Sequence, residues 1–119
     1  MKVYGIKNCD TVKKACAWLT EHKLDFEFVD LKVSKPTLKE LDRWEKILGW
    51  EVLLNRKGTT WRKLSDTEKD AVTDATNAKK ILLDNPSAIK RPILEINDIV
   101  YAGFSAESYN SIFTKINNL

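Results

Sequence analysis

Residues that build metal sites and disulfide scaffolds are scarce in this sequence. Its 119 residues contain two cysteines and a single histidine, His22. Two cysteines are too few for a disulfide scaffold, and with one histidine they form no zinc-binding pattern. We therefore expect no metal site, and we expect the Cys9 thiol to be free.

Long apolar runs are missing as well. No stretch approaches the roughly 20 apolar residues of a membrane-spanning helix, so we expect no association with a membrane. The first ten residues, MKVYGIKNCD, carry charges where a signal peptide has an apolar region. Together these two absences predict a cytoplasmic protein.

Basic charge is present, but it is not concentrated. The net charge is +3, and acidic residues are spread along the chain, so we expect no direct binding of nucleic acid. Few of the basic residues are arginine: Arg43, Arg56, Arg62 and Arg91. Because a guanidinium group matches oxyanions and carboxylates in a way that lysine does not, each arginine is a candidate for anion binding.

The first third of the chain predicts a strand, a helix and a second strand. Residues 2–6 alternate like a strand, residues 10–23 have helical apolar spacing, and residues 25–32 alternate again. Asp10 or Thr11 is expected to cap the helix. This order favours a βαβ unit with parallel strands.

The middle of the chain, about residues 37–85, carries helix signals and no strand pattern, with a polar loop around Gly58 between its helices. Thr37 and Glu40 form a capping-box pattern, which predicts a helix that starts there. Ser65 or Asp66 is expected to cap a further helical stretch. This part of the chain therefore predicts an all-helical insertion.

The last part of the chain predicts a hairpin and a closing helix. Two apolar runs meet at Asn97-Asp98, and Ser105 is the expected cap of the helix that follows. Ser108 stands where a capping box has glutamate, so we expect an incomplete box. The apolar stripe of this helix, which ends at Ile116, is expected to be buried.

The order β-α-β, helices, β-β-α is typical of a thioredoxin-like α/β fold with a mixed sheet. Size and the lack of a linker predict one domain, residues 1–119, with the helical insertion within it.

Cys9 lies at the junction between the first strand and the first helix. The first turn of a helix has unpaired N–H groups and a partial positive charge, and both favour a thiolate. Lys7 and Lys13 add positive charge nearby, and Thr11 offers a donor. A small buried core residue is the alternative interpretation, but core cysteines do not require this position.

Cys16 does not share these features. Seven residues of helix rise about 10.5 Å, whereas a disulfide joins Cα atoms about 4.4–6.8 Å apart. We expect Cys16 to pack on the helix face of Val12 and Leu19. Val12 also occupies the place of the second cysteine in a C-x-x-C motif. The site is therefore monothiol, and an outside thiol must resolve any covalent intermediate on Cys9.

Three segments resemble a known family. YGIKNCDTVKKACAWL, LLNRKGTTWRKL and KRPIL…VYAGF are similar, in that order, to segments of the ArsC/Spx/YffB family of arsenate reductase-like proteins, above all its YffB-like branch. The resemblance covers nearly the whole chain. It implies a thioredoxin-like fold with a helical insertion, Cys9 as the nucleophile, no bound cofactor, and thiol transfer with glutathione or glutaredoxin as co-substrate.

The resemblance also implies site residues around Cys9: Asn8, Thr11, Arg56, Arg91 and Pro92. Asn8 and Thr11 would shape the cysteine loop, while Arg56 and Arg91 would hold an oxyanion or a glutathione carboxylate. Pro92 matches a proline that is cis in thioredoxin-like folds.

Two further residues of the loop that holds Arg56 are candidates. Arg62 is a candidate for the same anion, with a structural role as the alternative. Trp61 is expected to line the site.

Two departures from the family bear on function. Arsenate reductases of the family carry an arginine after the last strand and a proline before the cysteine, and YAGFSAES and KNCDT lack them. Spx-type regulators mostly carry C-x-x-C. We therefore predict a glutathione-dependent thiol reductase acting on a small thiol or oxyanion substrate. The alternatives are an Spx-type regulator that binds RNA polymerase, a true arsenate reductase, and an inactive interaction module.

Overall fold

The computed structural model describes residues 1–117 and confirms the predicted order of strands and helices. A 3-10 turn, Pro86–Ala88, precedes the third strand. The elements are β1 (Lys2–Gly5), α1 (Asp10–Glu21), β2 (Glu27–Asp30), α2 (Leu38–Leu48), α3 (Trp50–Leu53), α4 (Thr59–Arg62), α5 (Asp66–Asp70), α6 (Ala75–Asp84), β3 (Ile93–Ile96), β4 (Ile99–Ala102) and α7 (Ala106–Asn117). Across this described part of the chain, no helix combines the length and apolar character that crossing a membrane requires.

The four strands form one mixed sheet in the order β2-β1-β3-β4. β1 and β2 are parallel, and Val3 lies opposite Phe28. β3 runs antiparallel to both β1 and β4, and Val3 lies opposite Leu94 on that side. The mixed sheet predicted from the order of elements is confirmed.

Helices cover both faces of the sheet. Because successive strand residues point to opposite faces, Val3 and Tyr4 belong to different apolar clusters. Val3 packs with residues of α1 and α7, including the fully buried Leu19 and Tyr109. Tyr4 packs with residues of the helical insertion, including the fully buried Trp44. The insertion therefore buries its apolar side against the sheet.

A polar network joins the insertion to the sheet through Glu95 of β3. The Glu95 carboxylate accepts hydrogen bonds from the Arg43 guanidinium and from Trp44 Nε1, the latter at 3.0 Å. Tyr4 donates a longer hydrogen bond of 3.4 Å to the same carboxylate. Burial raises the pKa of Glu95, but the hydrogen bonds from Trp44 and Arg43 outweigh burial and leave that pKa below its ordinary value.

Several local predictions are confirmed by the backbone. Thr37 and Glu40 form the predicted capping box at the start of α2. Gly49, whose φ of 84° suits glycine, is the C-cap residue that follows Leu48. The hairpin between β3 and β4 turns at Asn97, which has a φ of 53°.

Two expectations about α7 are wrong. The capping box is complete, because Ser105 N–H donates to Ser108 Oγ at 3.1 Å and Ser108 N–H donates to Ser105 Oγ at 3.0 Å. The Ser108 hydroxyl therefore accepts the hydrogen bond from the cap residue's N–H that a glutamate accepts in the usual capping box. Ile116 is 37% exposed, because the apolar stripe is buried only as far as Phe113.

The helical stretch that follows Ser65 is divided. Ser65 and Glu68 form a capping box at the start of α5, a helix that ends at Asp70. The side chain of Asp74 then accepts a hydrogen bond from Asn77 N–H at 2.9 Å and caps α6. This second cap, which the sequence interpretation missed, explains why the stretch forms two helices.

Candidate functional site

Cys9 is itself the N-cap residue of α1. Its backbone is extended, with φ −108° and ψ 120°, and its carbonyl accepts the first helical hydrogen bond from Lys13 N–H at 3.0 Å. The expectation that Asp10 or Thr11 caps the helix is therefore wrong, since both lie inside its first turn. The capping place normally belongs to a serine or threonine hydroxyl, which accepts an N–H of the first turn.

No side-chain cap bond is formed by Cys9. A thiolate at this position can accept N–H groups of the first turn, and the positive end of the helix dipole favours its charge. Cys9 is half-buried rather than enclosed in the core. The geometry supports the interpretation of Cys9 as a nucleophile.

A close contact between β1 and α1 sets the position of the cysteine loop. A Cβ atom added to Gly5, at the end of β1, would lie only 2.7 Å from Cγ2 of Val12 in α1. Only glycine leaves room for the helix to pack this near the strand end. The loop that carries Cys9 is therefore held between two closely packed elements.

Cys9 opens into a cleft of about 290 Å³. The cleft is lined by Cys9, Thr11, Asn55, Lys90, Arg91, Gly103 and Phe104. The structure thus brings together three of the predicted site residues, Cys9, Thr11 and Arg91. Two cationic side chains, Lys90 and Arg91, share its wall with the cysteine.

Arg91 and Pro92 are fixed by their surroundings. Arg91 Nη1 donates a hydrogen bond to the Ser87 carbonyl at 2.6 Å. The Arg91–Pro92 peptide bond is cis, the conformation that the resemblance implies for this proline. Pro92 is buried, and its carbonyl accepts a hydrogen bond from Gly103 N–H at 2.9 Å. Pro92 thus lies beneath the cleft wall, between Arg91 and Gly103.

Arg56 lines a second cleft and is not among the residues that line the Cys9 cleft. This neighbouring cleft has a volume of about 340 Å³ and is lined by Glu51, Val52, Leu54, Asn55, Arg56, Lys57 and Lys90. Asn55 and Lys90 line both clefts, so the two adjoin. The two arginines expected to bind one anion are therefore divided between adjoining clefts.

Two tryptophans hold the Arg56 guanidinium. Its carbon lies 5.4 Å from the centroid of the Trp50 ring and 5.7 Å from that of Trp61, within the range of cation–π interaction. Trp61 therefore lies beside Arg56, but it is not among the residues that line either cleft, where it was expected. Trp50 was missed, because it precedes Arg56 by a short helix and comes beside it only when α3 forms.

Backbone pairing attaches the Arg56 loop to the segment before Arg91. Leu54 and Ile89 form an isolated β-bridge. Asn55 N–H donates to the Ala88 carbonyl at 2.8 Å, and Lys90 N–H donates to the Leu53 carbonyl at 2.8 Å. These bonds bring the insertion to the edge of the Cys9 cleft.

Asn8 and Arg62 lie outside the residues that line the two clefts. Asn8 is exposed in the loop between β1 and α1. Arg62 Nη2 donates a hydrogen bond of 2.6 Å to the Lys57 carbonyl. That bond corresponds to the structural alternative for Arg62, because it closes the loop that carries Arg56.

Four residues of the Cys9 cleft were missed: Asn55, Lys90, Gly103 and Phe104. Lys90 and Asn55 each directly precede a predicted arginine in the sequence. That adjacency is the one feature of the sequence that could have indicated their place in the site. Phe104 follows Gly103, whose φ of 80° turns the chain back towards the cleft. Its ring packs edge-on against Tyr109, with centroids 4.6 Å apart, and gives the cleft an apolar wall.

Cys16 and His22 are separate from this site. Cys16 is half-buried against the α1–α7 cluster, as its helical spacing predicts, and burial raises the pKa of its thiol. His22 stacks on Trp18, with ring centroids 3.7 Å apart, at the other end of α1. Both cysteines are free thiols.

The chain resembles known proteins over nearly its whole length. The sequence pattern of the ArsC family matches residues 4–112. An uncharacterized protein of Haemophilus influenzae is 42% identical over 111 residues, covering 93% of this chain and 96% of that protein. The solved structure of the YFFB protein has 44% sequence identity and a TM-score of 0.88, covering 92% of this chain and 96% of that one. The global transcriptional regulator Spx of Streptococcus pyogenes is 24% identical over 111 residues, covering 91% of this chain and 81% of the regulator.

Proposed function

Because the chain belongs to the ArsC family and has its arsenate-reductase-like fold, we propose that it is a monothiol, glutathione-dependent thiol reductase. The observation that carries the proposal is Cys9 at the N-cap of α1, facing a cleft whose wall bears Lys90 and Arg91. Such a cleft favours both a thiolate and an anionic thiol substrate.

The proposed reaction is thiol–disulfide exchange. The Cys9 thiolate attacks the glutathione sulfur of a mixed disulfide, so that a Cys9–glutathione disulfide forms and the substrate leaves as a thiolate, which takes a proton from water. A second glutathione thiolate then attacks the glutathione sulfur of the adduct. Oxidised glutathione is released and the Cys9 thiolate is restored, so the electrons that reduce the substrate come from glutathione. Glutaredoxin can supply the second thiol in place of free glutathione.

The other predicted residues have binding roles in this proposal. Arg91 and Arg56 hold carboxylate groups of the glutathione moiety, and Thr11 donates to the bound substrate at the helix start. Asn8 shapes the exposed loop before Cys9, and Pro92 supports the wall that carries Arg91. No bound cofactor is required, because both reacting sulfurs belong to Cys9 and its substrates.

The absence of a second active-site thiol determines the need for an outside reductant. Val12 is buried in the place where a C-x-x-C motif has its second cysteine. Cys16 lies two turns along α1 and packs on the opposite side from the insertion. Neither can resolve an adduct on Cys9, so the proposal requires glutathione or glutaredoxin.

A mass measurement tests the nucleophile. The purified protein is incubated with oxidised glutathione and digested, and its cysteine peptides are analysed by mass spectrometry. We expect one glutathione adduct, on Cys9, which Cys9→Ser abolishes and Cys16→Ser leaves intact. An adduct that persists in Cys9→Ser and disappears in Cys16→Ser would overturn the assignment.

The similarity to Spx supports a second candidate, a regulator that binds RNA polymerase. The two functions differ in what Cys9→Ser removes. A thiol reductase loses turnover, whereas a regulator without C-x-x-C keeps its contact with the polymerase. Binding of purified RNA polymerase at equal strength by the wild type and by Cys9→Ser, together with no turnover of glutathione, would favour the regulator.

A further inference from the structure

The second cleft carries charges of both signs that are not paired with each other. Glu51, Arg56, Lys57 and Lys90 all line it. Among residues 1–117 the salt bridges are Arg43–Glu95 and Lys79–Asp42, so none of these four side chains takes part in one. An acid and several bases therefore line one cleft with their charges directed to solvent or to a ligand.

Arg56 is held in place without the use of its N–H groups. The faces of Trp50 and Trp61 lie beside the guanidinium, and both tryptophans are half-buried against the cluster between insertion and sheet. Side-chain hydrogen bonds from Arg56 to the rest of the described chain are absent, unlike those of Arg62 and Arg91. A guanidinium fixed by aromatic faces keeps its donors for a planar anion such as a carboxylate.

Glu51 supplies the complementary charge. It is exposed in the first turn of α3, one residue after Trp50. Its carboxylate gives a cleft that is otherwise basic a place for a positive group, which a simple anion would leave without a partner. The combination instead fits a group that carries an ammonium and a carboxylate on one carbon, as the head of an α-amino acid does.

The position of the second cleft suits a ligand whose sulfur reacts at Cys9 and whose amino acid head lies farther away. It adjoins the Cys9 cleft through Asn55 and Lys90. Glutathione carries its sulfur in the middle, an α-amino acid head at its γ-glutamyl end and a carboxylate at its glycyl end. Three residues extend over about 10 Å, which suits two adjoining clefts better than one.

We infer that the second cleft binds the α-amino acid head of the γ-glutamyl residue, while the sulfur lies at Cys9. Glu51 accepts the ammonium group, and Arg56 and Lys57 bind the α-carboxylate. The glycyl carboxylate lies nearer to Lys90 and Arg91. This inference rests on the proposed glutathione-dependent function, and it adds which part of glutathione each cleft recognises.

A non-reactive probe tests the subsite apart from the chemistry. S-methylglutathione is titrated into the protein while the four tryptophan indole N–H signals are followed by NMR. We expect the signals of Trp50 and Trp61 to shift, whereas those of Trp18 and Trp44, which are buried in the two cores, stay in place. Absence of a shift at Trp50 and Trp61 at any concentration of the probe would overturn the subsite.

Substitutions at Glu51 then identify the recognised group. Glu51→Gln is expected to weaken binding of S-methylglutathione about tenfold, the loss expected for one charged hydrogen bond. N-acetyl-S-methylglutathione, which lacks the ammonium, should bind the wild type and Glu51→Gln equally weakly. Glu107→Gln is the matched control, because Glu107 is also exposed in the first turn of a helix. Equal affinity of the wild type for the two probes would contradict the role of Glu51.

The reaction with disulfides separates a failure of the subsite from a failure of the proposed function. The rate of adduct formation on Cys9 is measured with oxidised glutathione and with oxidised cysteinylglycine, which lacks the γ-glutamyl residue. We expect the wild type to prefer oxidised glutathione about tenfold, and Glu51→Gln and Arg56→Met to lose that preference. If neither disulfide reacts, the proposed function fails, and the S-methylglutathione titration still decides the subsite. If both react and the variants keep the full preference, the subsite fails and the reductase proposal stands.

Discussion

At the scale of residues, the two cysteines have the same chemistry and different surroundings. Cys9 caps a helix at the edge of a cleft, and Cys16 is half-buried on the same helix, where burial raises the pKa of its thiol. A raised pKa keeps Cys16 as the neutral thiol at pH 7, which reacts slowly.

We therefore predict that iodoacetamide alkylates Cys9 at least roughly tenfold faster than Cys16 at pH 7. The rates are read from the cysteine peptides by mass spectrometry at successive times. Unfolding in urea serves as the control and should make the two rates similar, because it exposes Cys16. A folded protein in which Cys16 reacts as fast as Cys9 would contradict this difference.

The wall of the Cys9 cleft bears on which substrates the protein can reduce. Phe104 presents an aromatic ring close to Cys9, together with Lys90 and Arg91. An apolar ring suits the carbon atoms and sulfurs of an organic disulfide and contributes no hydrogen bond to an inorganic oxyanion.

We predict that arsenate reduction by the purified protein with glutathione and glutaredoxin is weak or nil. The assay follows glutathione oxidation that depends on arsenate, with the Cys9→Ser variant as background. Robust arsenate-dependent turnover would show that this cleft stabilises an oxyanion despite Phe104.

Where a local feature marks a residue, the sequence identified side chains that the fold brings together. Cys9, Thr11 and Arg91 follow from a strand–helix junction and a family segment, and they line one cleft. Lys90 and Asn55 come from segments about 35 residues apart that meet only through backbone bonds in the folded chain. The cap was assigned to Asp10 or Thr11 because their side chains are ordinary caps and a thiol is not.

At the scale of elements, the junction of β1 and α1 depends on Gly5. A Cβ at this position would overlap the branched side chain of Val12, which is itself buried. Such a branched side chain in a packed core has few ways to move aside.

We predict that Gly5→Ala lowers the free energy of unfolding by about 1–3 kcal/mol, the usual cost of overpacking. Urea denaturation measures this value. The same change in a Val12→Ala background should cost less, because the smaller side chain makes room for the new methyl group. An equal loss of unfolding free energy in both backgrounds would show that the new methyl group does not clash with Val12.

The contact between α2 and β3 predicts a dependence of stability on pH. Burial alone would raise the pKa of Glu95, but the hydrogen bonds from Trp44 and Arg43 bring it below the ordinary value. A carboxyl group with a lowered pKa in the folded state stabilises the fold above its unfolded pKa of about 4.3. That stabilisation is lost as the pH falls through the folded pKa.

We therefore predict that the stability difference between the wild type and Glu95→Gln is largest near neutral pH and shrinks as the pH falls below about 4.3. Denaturation curves at several pH values measure it, with Glu107→Gln as a control on an exposed helix turn. A difference that grows on acidification would contradict the sign of the pKa shift.

The elements show where local signals decide structure and where they do not. The capping box at Thr37 and the turn at Asn97 are local and were predicted. The division between α5 and α6 was missed because strong helix formers flank the break on both sides, whereas Val72, Thr73 and the cap residue Asp74 interrupt them. Likewise, the Ser108 hydroxyl completes a box that the sequence pattern assigns to glutamate.

At the scale of the whole molecule, the helical insertion has two structural roles. It covers one face of the sheet, and it carries Asn55 and Arg56 to the edge of the Cys9 cleft. The order of elements was sufficient to predict the mixed sheet, because each strand and helix has its own apolar pattern. The second cleft could not be predicted, since it forms where Lys90 meets residues 51–57 through long-range backbone bonds.

The division into two clefts also changes how the arginines are understood. The resemblance implies that Arg56 and Arg91 bind an anion together. In the fold they line adjoining clefts, separated by the shared wall of Asn55 and Lys90. A ligand with anionic groups at two points, such as glutathione, can contact both arginines more easily than a small oxyanion.

The most direct test of the central claim is turnover of a glutathionylated peptide by the purified protein. Release of the free peptide is followed with glutathione as the only reductant, for the wild type, Cys9→Ser and Cys16→Ser. The monothiol account predicts turnover that requires glutathione, falls to background in Cys9→Ser and persists in Cys16→Ser. Turnover that continues without Cys9, or that requires Cys16, would contradict it.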